Sequence, residues 1–138
     1  MSDSNSKKFY ITTTLPYVNA KAHIGHALEF TRADIIARYK KLQGFEVFFN
    51  TGADEHGLKI YNKAKEEGKD PQAYADEYAG KLKDVLKKLG ISPDVNFIRT
   101  TDAHHIKSAQ EFWKGDLRRG LRHRRIRFVW LAGQPRNA

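Results

Sequence analysis

The sequence contains no cysteine, and only four of its 138 residues are proline and one is methionine. Without cysteine the chain can form neither disulfides nor metal sites with thiolate ligands. No apolar run approaches the ~20 residues that a membrane-spanning helix needs. We therefore expect no membrane partner and a cytoplasmic location. A chain of this length can bury roughly two-thirds of its unfolded surface in one core.

Basic side chains are abundant but unevenly distributed. Residues 1–114 contain 18 Lys and Arg against 15 Asp and Glu, whereas residues 115–138 contain seven Arg, no Lys and one Asp. The first of these segments uses 15 Lys and only three Arg, which are Arg32, Arg38 and Arg99. Only the second segment, residues 115–138, carries enough excess positive charge to favour the binding of polyanions.

These differences suggest three segments. We interpret residues 1–7 as a polar leader and residues 8–114 as one domain. Residues 115–138 form an atypical Arg-rich tail, which we attribute to truncation, a shifted reading frame or disorder. An Arg-rich RNA-binding arm is the alternative interpretation of this tail.

Residue patterns predict alternating strands and helices. Aromatic and β-branched residues indicate strands at 9–14 and 45–50. Between them, apolar residues keep helical spacing over 24–42, and Gly44 follows as a helix-ending glycine. The same criteria predict a helix at 58–67, a second helix that Asp70 caps and that runs from Pro71 to Leu89, a short strand at 96–99, and a helix capped by Thr101 or Asp102. Strand, helix and strand in this order form a βαβ unit, so we predict an open α/β sheet with parallel strands and a right-handed crossover.

Two polar clusters follow the first two predicted strands, at residues 23–26 and 54–57. Open α/β sheets bind their ligands beyond the carboxyl ends of the strands. Since both clusters fall at such ends, we predict that they form one site.

His23, Gly25 and His26 lie where the long helix begins. A helix N-terminus offers unpaired N–H groups and partial positive charge, which favour phosphate. Two imidazoles add donors that can stabilise charge developing on a phosphorus centre. A glycine between them allows a flat ring such as adenine to approach the backbone. Taken alone, the histidines could equally be capping or surface residues.

A metal site is the competing interpretation of the same residues. It would combine His23, His26 and His56 with Asp54 or Glu55, because imidazole and carboxylate suit zinc or iron. The usual helical pair of histidine ligands is spaced i, i+4, whereas this pair is spaced i, i+3. We therefore assign no metal site.

The stretch LPYVNAKAHIGHA at residues 15–27 resembles the HIGH signature of class I aminoacyl-tRNA synthetases. The TTLPYVNA lead-in, GADEHGLKI at 52–60 and FIRTTDAHH at 97–105 are similar to the methionyl members of that class. The resemblance covers about residues 8–114. It implies the Rossmann-like nucleotide-binding fold of this class, here incomplete.

The resemblance also implies roles for individual residues around ATP. His23 and His26 would contact the ATP phosphates and stabilise the transition state of adenylate formation. Gly25 would lie against the adenine, and Glu29 would help to hold the nucleotide.

For the amino-acid substrate, the resemblance implies that Leu15 and Tyr17 form walls of the methionine pocket. Such apolar and aromatic surfaces suit a thioether. Asp54 would pair with the α-ammonium group of methionine.

By the same resemblance the activity is that of a methionine–tRNA ligase, which uses ATP with Mg²⁺, methionine and tRNA. The sequence contains no KMSKS-like second ATP motif and no Cys-rich zinc knuckle, and its tail does not resemble the family. We therefore expect weak or undetectable adenylate formation by this polypeptide alone. A nucleotidyltransferase with a His-x-Gly-His phosphate site and a basic RNA-binding fragment are the alternatives.

Overall fold

One or two helices follow each strand in the computed structural model, which describes residues 7–118 with side chains as far as residue 115. The elements are β1 (Lys8–Thr12), α1 (Ile24–Leu42), β2 (Glu46–Ala53), α2 (Leu58–Glu66), α3 (Pro71–Lys88), β3 (Asn96–Arg99) and α4 (Ala103–Arg118). The chain divides into two units, one ending at Asp102 and one beginning at Ala103. Nearly all of the predicted polar leader, and the Arg-rich tail beyond residue 118, lie outside the described residues.

The three described strands form one parallel sheet in the order β1-β2-β3. This confirms the predicted α/β fold with an open parallel sheet. The predicted ends of the first two strands were wrong. β1 stops at Thr12 instead of residue 14, and β2 continues past residue 50 to Ala53. The longer β2 arises because residues 50–53 pair with β3. The two strands approach closely here, since a Cβ at Gly52 would lie 2.0 Å from the carbonyl oxygen of Ile98.

The helix boundaries follow local signals. α1 spans Ile24–Leu42 as predicted, and Gly44 behind it has a φ of 82°, in the left-handed region that glycine tolerates. Asp70 caps α3 by accepting hydrogen bonds from the N–H groups of Gln72 and Ala73 at 2.9 and 3.2 Å. None of the helices within residues 7–118 is both long enough and apolar enough to cross a bilayer.

The core of the first unit lies on one face of the sheet, where α1 and α3 pack against β2. Its largest buried side chains include Phe30, Phe49 and Tyr74. In β1 and the first half of β2, exposed residues alternate with more buried ones, and the rings of Tyr10 and Phe48 stack at 5.7 Å while remaining more than half exposed. Parallel sheets are usually covered on both faces, whereas the part of the sheet that carries Tyr10 and Phe48 is exposed within the first unit as far as it is described.

Candidate active site

The segment that follows β1 is held to the last residues of β2 and to the residue after it, at the carboxyl end of the sheet. The hydroxyls of Thr13 and Thr51 form a buried hydrogen bond of 2.7 Å. Further on, Tyr17 and Asp54 form a parallel bridge, in which the Asp54 N–H donates to Pro16 O at 3.0 Å. Two of the residues predicted to bind the amino acid, Tyr17 and Asp54, are therefore neighbours.

The predicted phosphate-binding histidines form a capping box at the N-terminus of α1. His23 Nδ1 accepts the N–H of Gly25 at 3.1 Å, and His26 Nδ1 accepts the N–H of His23 at 3.3 Å. The two rings stack with centroids 3.9 Å apart and planes inclined by 19°. Accepting at Nδ1 requires the neutral tautomer with its proton on Nε2. Each ring therefore keeps one N–H that can donate to an anion.

The surroundings of His26 favour this neutral form. Burial lowers the pKa of His26 below its ordinary value, and the neighbouring His23 lowers it further, whereas Glu29 opposes both. Neutral imidazoles donate hydrogen bonds without bringing a full charge, which would be repelled by the positive end of the α1 dipole.

Gly25 and Glu29 have structural partners beside the histidines. A Cβ at Gly25 would lie 2.9 Å from His23 Cε1, so glycine leaves room for the capping ring. The Glu29 carboxylate accepts both the N–H and the hydroxyl of Thr14, each at 2.7 Å. Glu29 thus fixes the start of the segment that connects β1 to α1.

An open groove of about 370 Å³ runs between this connecting segment and α3. Tyr17, which is largely exposed, and His26 both line it. Leu15 is half-buried in the same segment, and Asp54 is half-buried at the end of β2. Lining residues from α3 include Tyr78, Lys81, Leu82 and Asp84.

Sequence reasoning missed an ion pair next to Asp54. The Glu55 side chain is 0 % exposed, and its carboxylate binds Arg99 through Nε at 2.6 Å and Nη2 at 2.9 Å. The Thr101 hydroxyl donates to the same carboxylate. The sequence did offer one signal for this ion pair, because residues 1–114 contain 15 Lys but only three Arg, and Arg99 is one of the three. Arg, unlike Lys, presents a planar fork that binds a carboxylate through two parallel hydrogen bonds.

The same contacts bear on the metal site considered above. Glu55 is bound to Arg99, and His56 Nε2 lies 3.1 Å from the carbonyl oxygen of Thr100. Throughout residues 7–118, no three His, Asp or Glu side chains are grouped so that they could hold a metal ion.

The family model described as tRNA synthetases class I (M) matches residues 9–131. The chain is 51% identical to the methionine–tRNA ligase of Thermotoga maritima over 83% of this chain and 19% of that protein. It is 47% identical to the methionine–tRNA ligase of Clostridium acetobutylicum over 80% of this chain and 17% of the relative. The chain thus spans about a fifth of the length of these curated relatives.

Solved structures agree with this grouping. The methionyl-tRNA synthetase of Mycobacterium tuberculosis, in complex with methionyl-adenylate, has a TM-score of 0.80 and 41% identity over 83% of this chain and 22% of that chain. A leucyl synthetase of Agrobacterium radiobacter, in a ternary complex with tRNA, has a TM-score of 0.77 and 28% identity over 86% of this chain and 16% of its own. With this Rossmann-like fold and these motifs, the chain belongs to the methionyl family of class I tRNA synthetases.

Proposed function

We propose that this chain is the segment of a methionine–tRNA ligase that binds the ATP phosphates and the amino acid during formation of methionyl-adenylate. The observation that carries the proposal is the pair of stacked imidazoles at the start of α1, each held at Nδ1 with a donor left at Nε2. The M. tuberculosis relative was solved with methionyl-adenylate, a molecule that joins the two substrates this site is suited to hold.

In the proposed reaction the methionine carboxylate attacks the α-phosphorus of ATP. A carboxyl O–P bond forms, the bond to the bridging oxygen of the β-phosphate breaks, and pyrophosphate leaves. Negative charge builds up on phosphate oxygens, where the Nε2–H groups of His23 and His26 and the N-terminus of α1 would stabilise it. No covalent bond to the protein is needed, so positioning and electrostatics carry the catalysis.

Asp54 would hold the methionine α-ammonium, with Leu15 and Tyr17 beside the side chain. Gly25 would lie against the adenine. Both oxygens of Glu29 already bind Thr14, so Glu29 would contribute to nucleotide binding indirectly, by fixing the segment that connects β1 to α1.

Mg²⁺ would enter with the ATP phosphates, because this ion is usually held by substrate phosphates rather than by an all-protein cage. In the second step the activated methionyl group would pass to the 3′-terminal ribose of tRNA. These partners, and a cytoplasmic location, remain predictions for this chain.

A nonhydrolysable analogue of methionyl-adenylate tests the proposal by isothermal titration calorimetry. We expect the chain to bind it, and we expect His23→Ala and Asp54→Asn each to weaken binding by about tenfold or more, since each removes a hydrogen bond to a charged group. His104→Ala, in the second unit, is the control and should leave binding unchanged. Absence of binding, or equal affinity in all variants, would refute this function.

Catalysis by the chain alone should be weak, because the relatives are about five times longer. Methionine-dependent ATP–pyrophosphate exchange measures it. Exchange at the rate of an intact ligase would show that this expectation is wrong.

A further inference from the structure

Asp54 lies between two residues that are anchored to the end of β3. On one side, the Thr100 N–H donates to Ala53 O at 3.2 Å. On the other, the Glu55 N–H donates to Thr100 Oγ1 at 2.8 Å. Asp54 itself uses its backbone toward the opposite side, accepting the Val18 N–H at 3.2 Å.

The stronger anchor is the side chain of Glu55. A carboxylate removed from water is costly unless it is paired and hydrogen-bonded. Here the two-pronged guanidinium of Arg99 and the Thr101 hydroxyl supply those bonds. The hydrogen bond to Glu55 raises the pKa of Arg99, and Arg99 also reaches Asp76 of α3 at 2.5 Å.

Successive side chains of an extended segment point to opposite sides. Since Glu55 is fixed toward Arg99, the preceding side chain, Asp54, is directed to the other side of the segment, and its carboxylate accepts the His56 N–H at 3.4 Å. Apolar residues of similar volume in place of both Glu55 and Arg99 could fill this space, often without loss of stability, but they could not fix this direction by two parallel hydrogen bonds.

We propose that Glu55, through its ion pair with Arg99, is a positioning residue that holds the Tyr17–Asp54 bridge in the geometry needed to receive an amino acid. The role of Asp54 in binding the α-ammonium rests on the proposed function. The positioning of the bridge does not, and it can be measured without a ligand.

Amide hydrogen exchange of the full chain is the first experiment, with the N–H groups of Asp54 and Val18 as reporters and those of residues 46–49, where β2 pairs with β1, as the reference. In Glu55→Gln and in Arg99→Lys we expect the reporters to exchange about tenfold or more faster relative to the reference, because weakening the ion pair should let the bridge open locally. Amide exchange detects such local opening separately from global unfolding. Arg99→Lys keeps the positive charge and serves where Glu55→Gln fails to fold.

Asp34→Asn is the matched control, because Asp34 is also a buried carboxylate but lies away from the bridge. A purely structural role would speed the reporters and the reference together, as this control should. If reporters and reference change in parallel in Glu55→Gln and Arg99→Lys as well, positioning by Glu55 is overturned.

The second experiment compares binding of L-methionine with binding of 4-(methylthio)butanoate, which lacks the α-ammonium. The unchanged chain and Asp34→Asn should prefer L-methionine, and Glu55→Gln and Arg99→Lys should lose most of that preference. If the unchanged chain binds neither compound, the proposed function fails while the exchange data still decide the positioning. A preference kept in both Glu55→Gln and Arg99→Lys would count against the proposal.

Discussion

Among the residues whose burial is described, each end of the sheet has one buried carboxylate, and the two are held by different groups. At the amino end of β3, Asp34 of α1 accepts the N–H of Ser92 at 3.0 Å together with its hydroxyl, and Arg38 Nε at 2.7 Å. At the carboxyl end, Glu55 depends on the bidentate guanidinium of Arg99. The Asp34 side chain is 8 % exposed and that of Glu55 is 0 % exposed.

The cations differ more than the carboxylates. The Arg38 side chain is 53 % exposed, whereas that of Arg99 is 21 % exposed. Burial alone would raise the pKa of Asp34, but the bonds from Ser92 and then Arg38 outweigh it and hold this pKa below its ordinary value. At the amino end, the neutral donors of Ser92 therefore supply much of the stabilisation of the Asp34 carboxylate. This contact ties α1 to the loop that contains Ser92. The carboxyl end depends on a charge, and Glu55 there directly follows Asp54, the residue proposed to bind the amino acid.

The largest expected effect separates the two arginines. Arg99→Met leaves Glu55 buried without its counter-charge, so we expect a loss of about 3–5 kcal/mol in the free energy of unfolding. Arg38→Met removes a half-exposed partner and should cost about 1 kcal/mol or less. Urea denaturation followed by circular dichroism measures both, and equal losses would remove the distinction between the two ends.

Asp34→Asn should cost about 1–3 kcal/mol at neutral pH, because the bonds from Ser92 and Arg38 are weakened or left unmatched. The folded-state pKa of Asp34 is lowered, so its stabilisation is present above about pH 4 and is lost as the pH falls through the folded-state pKa. The variant should therefore lose less stability than the unchanged chain when the pH is lowered from 5 to 3. Urea titrations across that range test this, and parallel pH profiles would contradict it.

A smaller effect is expected at the N-cap of α1, which lies at the carboxyl end of the sheet. His23→Ala should destabilise the chain by about 1 kcal/mol, because the Gly25 N–H loses its acceptor. His23→Asn should recover most of this stability, since Asn is a good N-cap residue, without recovering affinity for the adenylate analogue. Thermal unfolding and calorimetry on the same variants separate the two roles, and recovery of both by Asn would mean that the imidazole has no special part in binding.

The smallest effect concerns the protonation of His26. Its pKa is lowered in the folded state, so the stabilisation from its neutral form is present above about pH 6.5 and is lost as the pH falls through the folded-state value. The change should be about 0.3–1 kcal/mol, typical of a charge at a helix terminus. His26→Gln keeps an acceptor at this position of the capping box and should show a flatter stability profile between pH 7 and 5. An unchanged slope would place the sensitivity elsewhere.

Local signals predicted much of the fold. The periodic apolar residues of α1, the Asp70 cap of α3 and the pattern of β3 each act within a few residues, and those elements lie where the sequence placed them. The end of β2 was missed because residues 51–53 are strand through pairing with β3, which is a tertiary effect.

The candidate site divides in the same way. The histidine motif is contiguous in sequence, and its capping geometry follows from its place at the start of α1. Glu55 and Arg99 are 44 residues apart, and neither carries a local pattern that names the other. The scarcity of Arg in a Lys-rich segment was the available indication, since both buried carboxylates have an Arg partner.

The order of the strands has a consequence for synthesis. β2 and β3 each pair with the strand that immediately precedes them in the chain, so each strand pairs with residues that have already been made. Chains fold from the N-terminus as they leave the ribosome, at about 5–20 residues per second. β1 can therefore pair as soon as β2 has emerged, and the bridge between Tyr17 and Asp54 can close before Arg99 is translated. The ion pair of Glu55 must wait until Arg99 has been made, 44 residues later, which takes about 2–9 seconds at these rates.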